Sequence, residues 1–171
     1  MKTLLLGCGN SRLKIVHTGG QADWDGELVT LDMNPNCNAD VLWDLEFRPL
    51  PFDDGTFDEI HAYDVLEHIG RQGDWRGYFD EWSEYHRLLK PGGLMAVMVP
   101  IGMDALADPG HTRFFYTNHF WMLSQAWYAD SIANGDRVTD YRWCWRKDFH
   151  PVSIQFMEQH HIVAVMRKVG A

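Results

Sequence analysis

Two glycines near the start of the sequence could let a ligand approach the backbone. They lie in the stretch LLLGCGN, directly after an apolar run from Thr3 to Leu6 that has no helical period. Such a run predicts a strand that is buried on both faces. Gly7 and Gly9 allow positive φ angles and close approach by another molecule. Because open α/β sheets bind ligands at the carboxyl ends of their strands, we expect a ligand at this loop.

Two aspartates further along could recognise a nucleoside. Asp32 ends the second predicted strand, where a carboxylate can accept hydrogen bonds from both hydroxyls of a ribose. Asp44 follows the third, where a carboxylate can accept from an exocyclic amine. Each could instead be a solvated loop residue or a helix cap, but together with the glycine loop they indicate an adenosine. Arg12 stands where the dinucleotide fingerprint G-x-G-x-x-G has its third small residue, which disfavours a pyrophosphate ligand.

Strand-like and helix-like segments alternate along the chain. Apolar or alternating runs predict further strands at residues 28–32, 39–42, 57–63 and 94–99. Aromatic residues and leucines at helical spacing predict a helix within residues 74–90, which Pro91-Gly92-Gly93 would end. A second helix is predicted from about residue 118 to 130, with Thr117 as its N-cap. This alternation indicates a parallel sheet with right-handed crossovers.

The last third of the sequence has two more strand-like runs. They cover residues 138–146 and 161–169 and are joined by HPVSIQFMEQ. We expect this pair to add an antiparallel edge to the sheet. The aromatic residues of YRWCW, in the first run, could stack against a bound ring or pack within an edge strand.

The composition is that of an ordinary globular protein. The 171 residues, 46% hydrophobic and 23% charged, predict a single domain over residues 1–171. No apolar run approaches the roughly 20 residues that span a bilayer, and no signal-peptide pattern is present, so we expect a cytoplasmic protein with no membrane partner. The net charge of −9, without a Lys/Arg block, disfavours a groove along nucleic-acid phosphates. The cysteines lack metal-ligand spacing, and His160 and His161 would face opposite ways on a strand, so no metal site is expected.

Four motifs occur in order along the chain: LLLGCGN, LDMNP, ADVLWDLEFRPLPFDDGTFDEIHAYDVLEHI and LKPGGLMAVMVP. In order and spacing they resemble the motifs of the class I S-adenosylmethionine-dependent methyltransferases, and most of all the type 11 group. The resemblance covers roughly residues 3–120. It implies an α/β fold with a Rossmann-like, seven-stranded, mostly parallel sheet, helices on both faces and an antiparallel last strand. It also implies S-adenosyl-L-methionine as the cofactor.

Eight positions match the cofactor-binding motifs of that family: Gly7, Cys8, Gly9, Asp32, Met33, Asp44, Leu45 and Asp64. By this resemblance the glycine loop passes the methionine part of the cofactor, with its middle residue contributing backbone. Asp32 takes the ribose, Met33 packs on the adenine, and Asp44 with Leu45 brackets the adenine edge. Asp64 lies near the amino and sulfonium end, where an acidic group suits a cofactor with two positive charges.

Two stretches follow the fourth and fifth strands on the predicted acceptor side. YDVLEHI offers Glu67 and His68, and DPGHTRFFYT resembles a D-P-x-H-x-R-x-F segment of the type 11 group. The candidate catalytic residues are therefore His68, His111 and Arg113. His68 could be a general base or could pack under the cofactor. His111 and Arg113 could contact the acceptor or could fix their own loop, with Asp108 as a partner.

The leading functional hypothesis is methyl transfer to an oxygen or nitrogen of a small-molecule or saccharide acceptor. A nucleic-acid methyltransferase is disfavoured, because neither an N/D-P-P-Y/F run nor a Pro-Cys pair follows the fourth strand and no basic flank is present. An NAD(P)-dependent oxidoreductase is disfavoured by the missing third glycine. A cofactor-binding module without catalysis is a further alternative.

A cover for the acceptor pocket is expected from one of two sources. The first strand is predicted so early that the cover must come from residues 101–117, acting as a lid, or from a second subunit in a homodimer. In the homodimer, Trp143 and Trp145 would pack over the open face. Of the two, the lid is preferred.

Overall fold

The computed structural model describes residues 1–15, 21–157 and 160–170. Within these ranges the strands are β1 (Lys2–Leu6), β2 (Lys14–Ile15), β3 (Gln21–Ala22), β4 (Glu27–Asp32), β5 (Val41–Leu42), β6 (Phe57–Tyr63), β7 (Leu89–Pro100), β8 (Phe149–Met157) and β9 (His161–Lys168). The α-helices are α1 (Trp75–Leu88), α2 (Gly102–Ala107), α3 (Thr117–Trp121) and α4 (Gln125–Ala133), and Leu66–His68 forms one turn of 3-10 helix.

Seven strands form one sheet in the order β5-β4-β1-β6-β7-β9-β8. The pairs β4–β5, β1–β4, β1–β6 and β6–β7 are parallel, whereas β9 is antiparallel to both of its neighbours, β7 and β8. The predicted seven-stranded, mostly parallel sheet with an antiparallel last strand is therefore confirmed. The short strands β2 and β3 form a separate antiparallel hairpin.

The two faces of the sheet have different cover. On one face, buried side chains of α1, α3 and α4 join the large core cluster, and the fully buried Trp82 contacts the rings of Tyr85, Phe120 and Phe149. On the other face, a smaller cluster gathers around Leu5 and Cys8. In the described part of the chain, the connections from β1 to β4 and from β4 to β5 contain the hairpin and loops but no helix.

Helix α1 lies within the predicted range of residues 74–90. Asp74 is its N-cap, and the Asp74 carboxylate accepts a hydrogen bond from the backbone N–H of Gly77 at 3.0 Å. The following strand begins earlier than predicted, at Leu89 instead of residue 94, because Leu89 already pairs with Phe57 before the register shifts. The Pro-Gly-Gly segment thus lies inside β7, after the helix has already ended at Leu88.

The sequence prediction was wrong for residues 138–146, which form turns and loops, not a strand. The outer neighbour of β9 is instead β8, which lies largely in the segment that we expected to be a connection. A side chain supplies hydrogen bonds to two backbone carbonyls of this loop. The amide of Gln125 donates to the carbonyls of Trp145 and Lys147 at 3.0 and 2.8 Å. Trp145 is buried and stacks on Phe79 of α1, so this residue belongs to the core, whereas Trp143 in the same run is exposed.

The predicted second helix is two helices, α3 and α4, separated by residues 122–124. The Leu123 carbonyl accepts hydrogen bonds from the Phe149 backbone and from the Trp145 indole, both at 3.0 Å. Ser124 then caps α4 by accepting from the backbone N–H of Trp127. The break therefore ties the helices to β8. Among the described helices, none has both the length and the apolar character needed to cross a membrane.

One buried histidine should make the stability of the fold depend on pH. His86 in α1 is 3% exposed, packs against the Phe149 ring, and donates from Nε2 to the Val169 carbonyl at 3.2 Å. Burial lowers the pKa of His86 from 6.5 to about 4. Because the unfolded state then binds more protons, stability is fully present above about pH 6.5 and falls as the pH drops towards 4.

We expect His86 to contribute about 2 kcal/mol to the loss of unfolding free energy between pH 7 and pH 5. Urea unfolding at several pH values should show a shallower pH dependence in His86→Gln than in the natural protein. Equal pH slopes in the two proteins would contradict this assignment.

Candidate active site

The carboxyl ends of the parallel strands surround a cavity of about 290 Å³. Seven of the predicted site residues line it: Gly7, Asp32, Met33, Asp44, Leu45, Asp64 and His68. The sequence analysis missed four apolar lining residues: Leu31, Trp43, Val65 and Ile69. Each of the four lies next to a predicted site residue in the chain. That proximity is the signal that could have identified them, because neighbouring residues at a strand end share one ligand site.

The glycine loop is held against two other strand ends. Gly7 has a φ of +56°, and a Cβ atom there would lie 2.2 Å from a methyl carbon of Val65. Gly9 has a φ of +50°, and its backbone N–H donates to Oδ2 of Asp32 at 2.8 Å. The other carboxylate oxygen, Oδ1, accepts from the backbone N–H of Asn34 at 2.8 Å. The Asp32 side chain is thus fixed between the loops that follow β1 and β4.

Cys8 is oriented differently from the two glycines beside it. Its side chain is buried in the smaller core cluster with Leu5 and Cys37, and its backbone N–H donates to the Leu31 carbonyl at 3.3 Å. Burial raises the pKa of the Cys8 thiol. The structure therefore does not bring the Cys8 side chain to the cavity.

Asp64 follows β6 in a backbone conformation that is uncommon for a residue with a side chain. Its φ is +53°, which Asp tolerates better than most residues, and such conformations concentrate at functional sites. Its Oδ1 lies 3.1 Å from Nε2 of His161 at the start of β9. Burial raises the pKa of the Asp64 carboxyl, and the neighbouring His161 opposes that shift.

His68 and His111 meet at the edge of the cavity, with ring centroids 4.6 Å apart. Nδ1 of His68 lies 3.1 Å from the Gly110 carbonyl, and Nδ1 of His111 lies 2.9 Å from the Ala105 carbonyl. Because a carbonyl oxygen only accepts hydrogen bonds, each Nδ1 carries a proton and donates it. In the neutral imidazole this leaves the lone pair on Nε2.

Glu67 lies beneath these two imidazoles and is 1% exposed. Neither of its carboxyl oxygens has a hydrogen-bond partner among the described residues, although Nε2 of His111 lies 3.8 Å from Oε1. Burial raises the pKa of Glu67 to about 7. The sequence placed Glu67 near the acceptor but did not show that His111 would pack against it.

The third candidate catalytic residue, Arg113, lies outside the described lining of this cavity. It is 3% exposed and forms a buried ion pair with Glu81 of α1 at 2.8 Å. Its guanidinium also donates to the Leu66 carbonyl at 2.9 Å and lies over the Phe115 ring. The arrangement fixes the turn that carries Glu67, so Arg113 is placed to position the site.

A family model described as a methyltransferase domain matches residues 4–97, more than half of the sequence. The chain belongs to this methyltransferase family. The protein is therefore an S-adenosylmethionine-dependent methyltransferase, as the sequence motifs predicted. A comparison with curated proteins gives no match.

Solved structures of methyltransferases share the fold. One is 1,6-didemethyltoxoflavin-N1-methyltransferase of Burkholderia thailandensis, with bound 1,6-didemethyltoxoflavin and S-adenosylhomocysteine (TM-score 0.57, 17% identity, 99% of this chain and 71% of that chain). A second is the N-methyltransferase NodS of Bradyrhizobium japonicum (TM-score 0.55, 12% identity, 99% and 86%). A third is a methyltransferase in complex with the Haloferax volcanii activator Trm112 (TM-score 0.61, 12% identity, 99% and 83%).

The chemistry of the cavity fits S-adenosylmethionine. Three carboxylates line it, on Asp32, Asp44 and Asp64, and they suit a ligand that carries an ammonium group, a sulfonium group and ribose hydroxyls. The apolar part of the lining, including Trp43 and Leu45, suits an adenine ring.

We expect Asp32→Ala to weaken binding of S-adenosylhomocysteine by about 2–4 kcal/mol, because the ribose hydroxyls would lose an acceptor and the glycine loop would lose the hydrogen bond that holds Gly9 in place. Isothermal titration calorimetry measures the change. Asp53→Ala removes an exposed carboxylate outside the cavity and serves as the matched control. Natural affinity in Asp32→Ala would show that this carboxylate does not hold the ribose.

The ion pair between Arg113 and Glu81 gives a separate prediction. Arg113→Met should lower the free energy of unfolding by about 3–5 kcal/mol, because Glu81 is left buried without its partner. Adding Glu81→Gln should recover part of that loss while keeping an acceptor for the Tyr85 hydroxyl. Glu27→Gln, in an exposed pair with Lys2, should have a much smaller effect in the same urea titrations. Additive effects of the two buried substitutions would contradict the coupling.

Proposed function

We propose that the protein transfers a methyl group from S-adenosylmethionine to an oxygen or nitrogen of a small-molecule or saccharide acceptor. The observation that carries this proposal is the position of His68. It lines the same cavity as Asp32 and Asp44, and its Nε2 lone pair is available because Nδ1 is bound to a backbone carbonyl. Residues 1–171 would work as a single domain, an expectation supported by structural neighbours that match 99% of the chain.

In this proposal, residues at different strand ends bind different parts of the cofactor. Asp32 accepts hydrogen bonds from the ribose, Asp44 and Leu45 bracket the adenine edge, and Met33 packs on the adenine face. Asp64 lies towards the ammonium and sulfonium groups. The bare backbone at Gly7 and Gly9 leaves room for the methionine part, with Cys8 holding the loop from below through its buried side chain.

When bound, S-adenosylmethionine supplies a methyl group on a positively charged sulfur. The protein's main contribution is to hold an acceptor atom in line with that methyl group, which is worth roughly 7–11 kcal/mol when complete. His68 and His111 would receive the acceptor, and Arg113 would position the turn that carries His68. Residues 101–117 would cover this side, since the backbone N–H groups of Thr112 and Arg113 both donate to the Glu67 carbonyl.

The charge of the molecule supports a small or neutral acceptor over a nucleic acid. The net charge is −9, and three aspartates line the cavity, so a polyphosphate backbone would be repelled. The Burkholderia thailandensis neighbour binds a small molecule together with S-adenosylhomocysteine, which supports the same class here. A nucleic-acid substrate and a module that binds the cofactor without turnover remain as outcomes of the test.

We expect His68→Ala to lower turnover by roughly 10²–10⁴-fold on a hydroxyl acceptor, with nearly unchanged affinity for S-adenosylhomocysteine. The assay follows transfer of a labelled methyl group into a pooled metabolite extract, with a parallel pool of oligonucleotides. His150→Ala, on the exposed part of β8, is the matched control.

Two results would overturn the proposal. Label in the oligonucleotide pool alone would indicate a nucleic-acid methyltransferase. Tight cofactor binding with no labelled product in either pool would indicate a binding module. If His68→Ala loses cofactor affinity and turnover equally, His68 packs under the cofactor and does not contact the acceptor.

A further inference from the structure

Three side chains with metal-binding atoms meet beside the cofactor cavity. One such atom from each of Glu67, His68 and His111 lies within 4.8 Å of the other two. Glu67 and His68 belong to the turn after β6, whereas His111 comes from the loop after α2. We propose that these three side chains bind a divalent first-row transition-metal ion, to which the methyl acceptor coordinates. The metal site does not depend on the proposed function, whereas coordination of the acceptor does.

The two imidazoles are already oriented as metal ligands. Metal-binding histidines almost always donate their second ring N–H to a carboxylate, a backbone carbonyl or water, which fixes the tautomer. Here His68 donates to the Gly110 carbonyl and His111 to the Ala105 carbonyl. The backbone of Gly110 also lies close to this imidazole, since a Cβ atom at Gly110 would be 3.1 Å from Nδ1 of His68. Both Nε2 lone pairs are left for a ligand.

Glu67 is the feature that distinguishes this cluster from an ordinary pair of packed histidines. Its carboxyl group is 1% exposed, and neither oxygen has a hydrogen-bond partner among the described residues. A buried carboxyl without a partner is costly and rare in folded proteins. Coordination of a cation by one or both oxygens would satisfy this group.

One pair of these ligands is separated by nearly the distance that a metal requires. Metal–ligand lengths of about 2.0–2.2 Å place tetrahedral ligands about 3.4 Å apart. Oε1 of Glu67 and Nε2 of His111 are 3.8 Å apart, so small side-chain rotations suffice for this pair. His68 is exposed, which leaves the ion open towards solvent and the cavity.

The ligand set indicates the class of ion and its use. Two imidazoles and one carboxylate suit Mn²⁺ to Zn²⁺ and leave coordination positions open, as in catalytic metal sites. An acceptor oxygen or nitrogen in an open position would be held beside the methyl group. The negative charges of Glu67 and Asp64 would offset the charge of the ion close to the sulfonium. The role of His68 towards the acceptor would then be exerted through the ion.

The experiment uses tag-free protein and Co²⁺ as the probe. We expect one equivalent of Co²⁺ to bind saturably in calorimetry, with visible d–d absorption that a chelator removes. His68→Asn should weaken binding at least about 100-fold, and Glu67→Gln should do the same if it folds. His68 is exposed, so its substitution keeps the test valid if the Glu67 variant does not fold. His150→Asn is the matched control and should bind like the natural protein.

The outcomes separate the metal site from the proposed function. No saturable binding at about 1 mM Co²⁺, or equal binding in His68→Asn, would overturn the metal site even if methyl transfer is observed. Binding that depends on His68 would support the site even if no acceptor is found. Methyl transfer that is lost with a chelator and restored by metal would support acceptor coordination. Full activity in chelator would overturn that role of the ion.

Discussion

Leu6, Leu31 and Ala62 lie side by side across three parallel strands, since Leu6 pairs with both of the others. All three are buried, and the chain leaves the sheet directly after each of them or one residue later. Because the strands are parallel, these three exits lie at one edge of the sheet. The glycine loop, the Asp32 carboxylate and the turn carrying Asp64 must therefore meet. The cavity and everything attached to it depend on this register.

Local patterns were sufficient for most of the fold. The strand at residues 57–63 and the helix within residues 74–90 each follow from the spacing of apolar side chains in a single segment, and both are present. The run at 138–146 has the alternation of a strand, but Trp145 near its end is held in the core, where its carbonyl accepts from the Gln125 side chain and its ring stacks on Phe79. Such a contact between distant residues cannot be predicted from the pattern of either segment.

The same distinction applies to the site. That Asp32 and Asp44 line the cavity follows from a simple rule, because the carboxyl ends of parallel strands lie at the same edge of the sheet. The contact between Glu67 and His111 joins residues 44 positions apart, and Arg113 is drawn into the core by an ion pair with Glu81. These contacts depend on how the loop after α2 packs on the turn after β6 and on α1. The sequence showed the residue types but not which of them face a ligand.

The outer strands of the sheet bear on how the protein behaves at high concentration. An unpaired strand edge can template pairing with a second chain, which leads to aggregation. Here one outer strand, β5, is two residues long, and the other, β8, contains Pro151, which has no N–H to donate. The register also shifts between Pro151 and Ser153, so the ladder is interrupted at the exposed Val152. Replacing Pro151 would therefore make β8 more regular but would also make the protein less soluble.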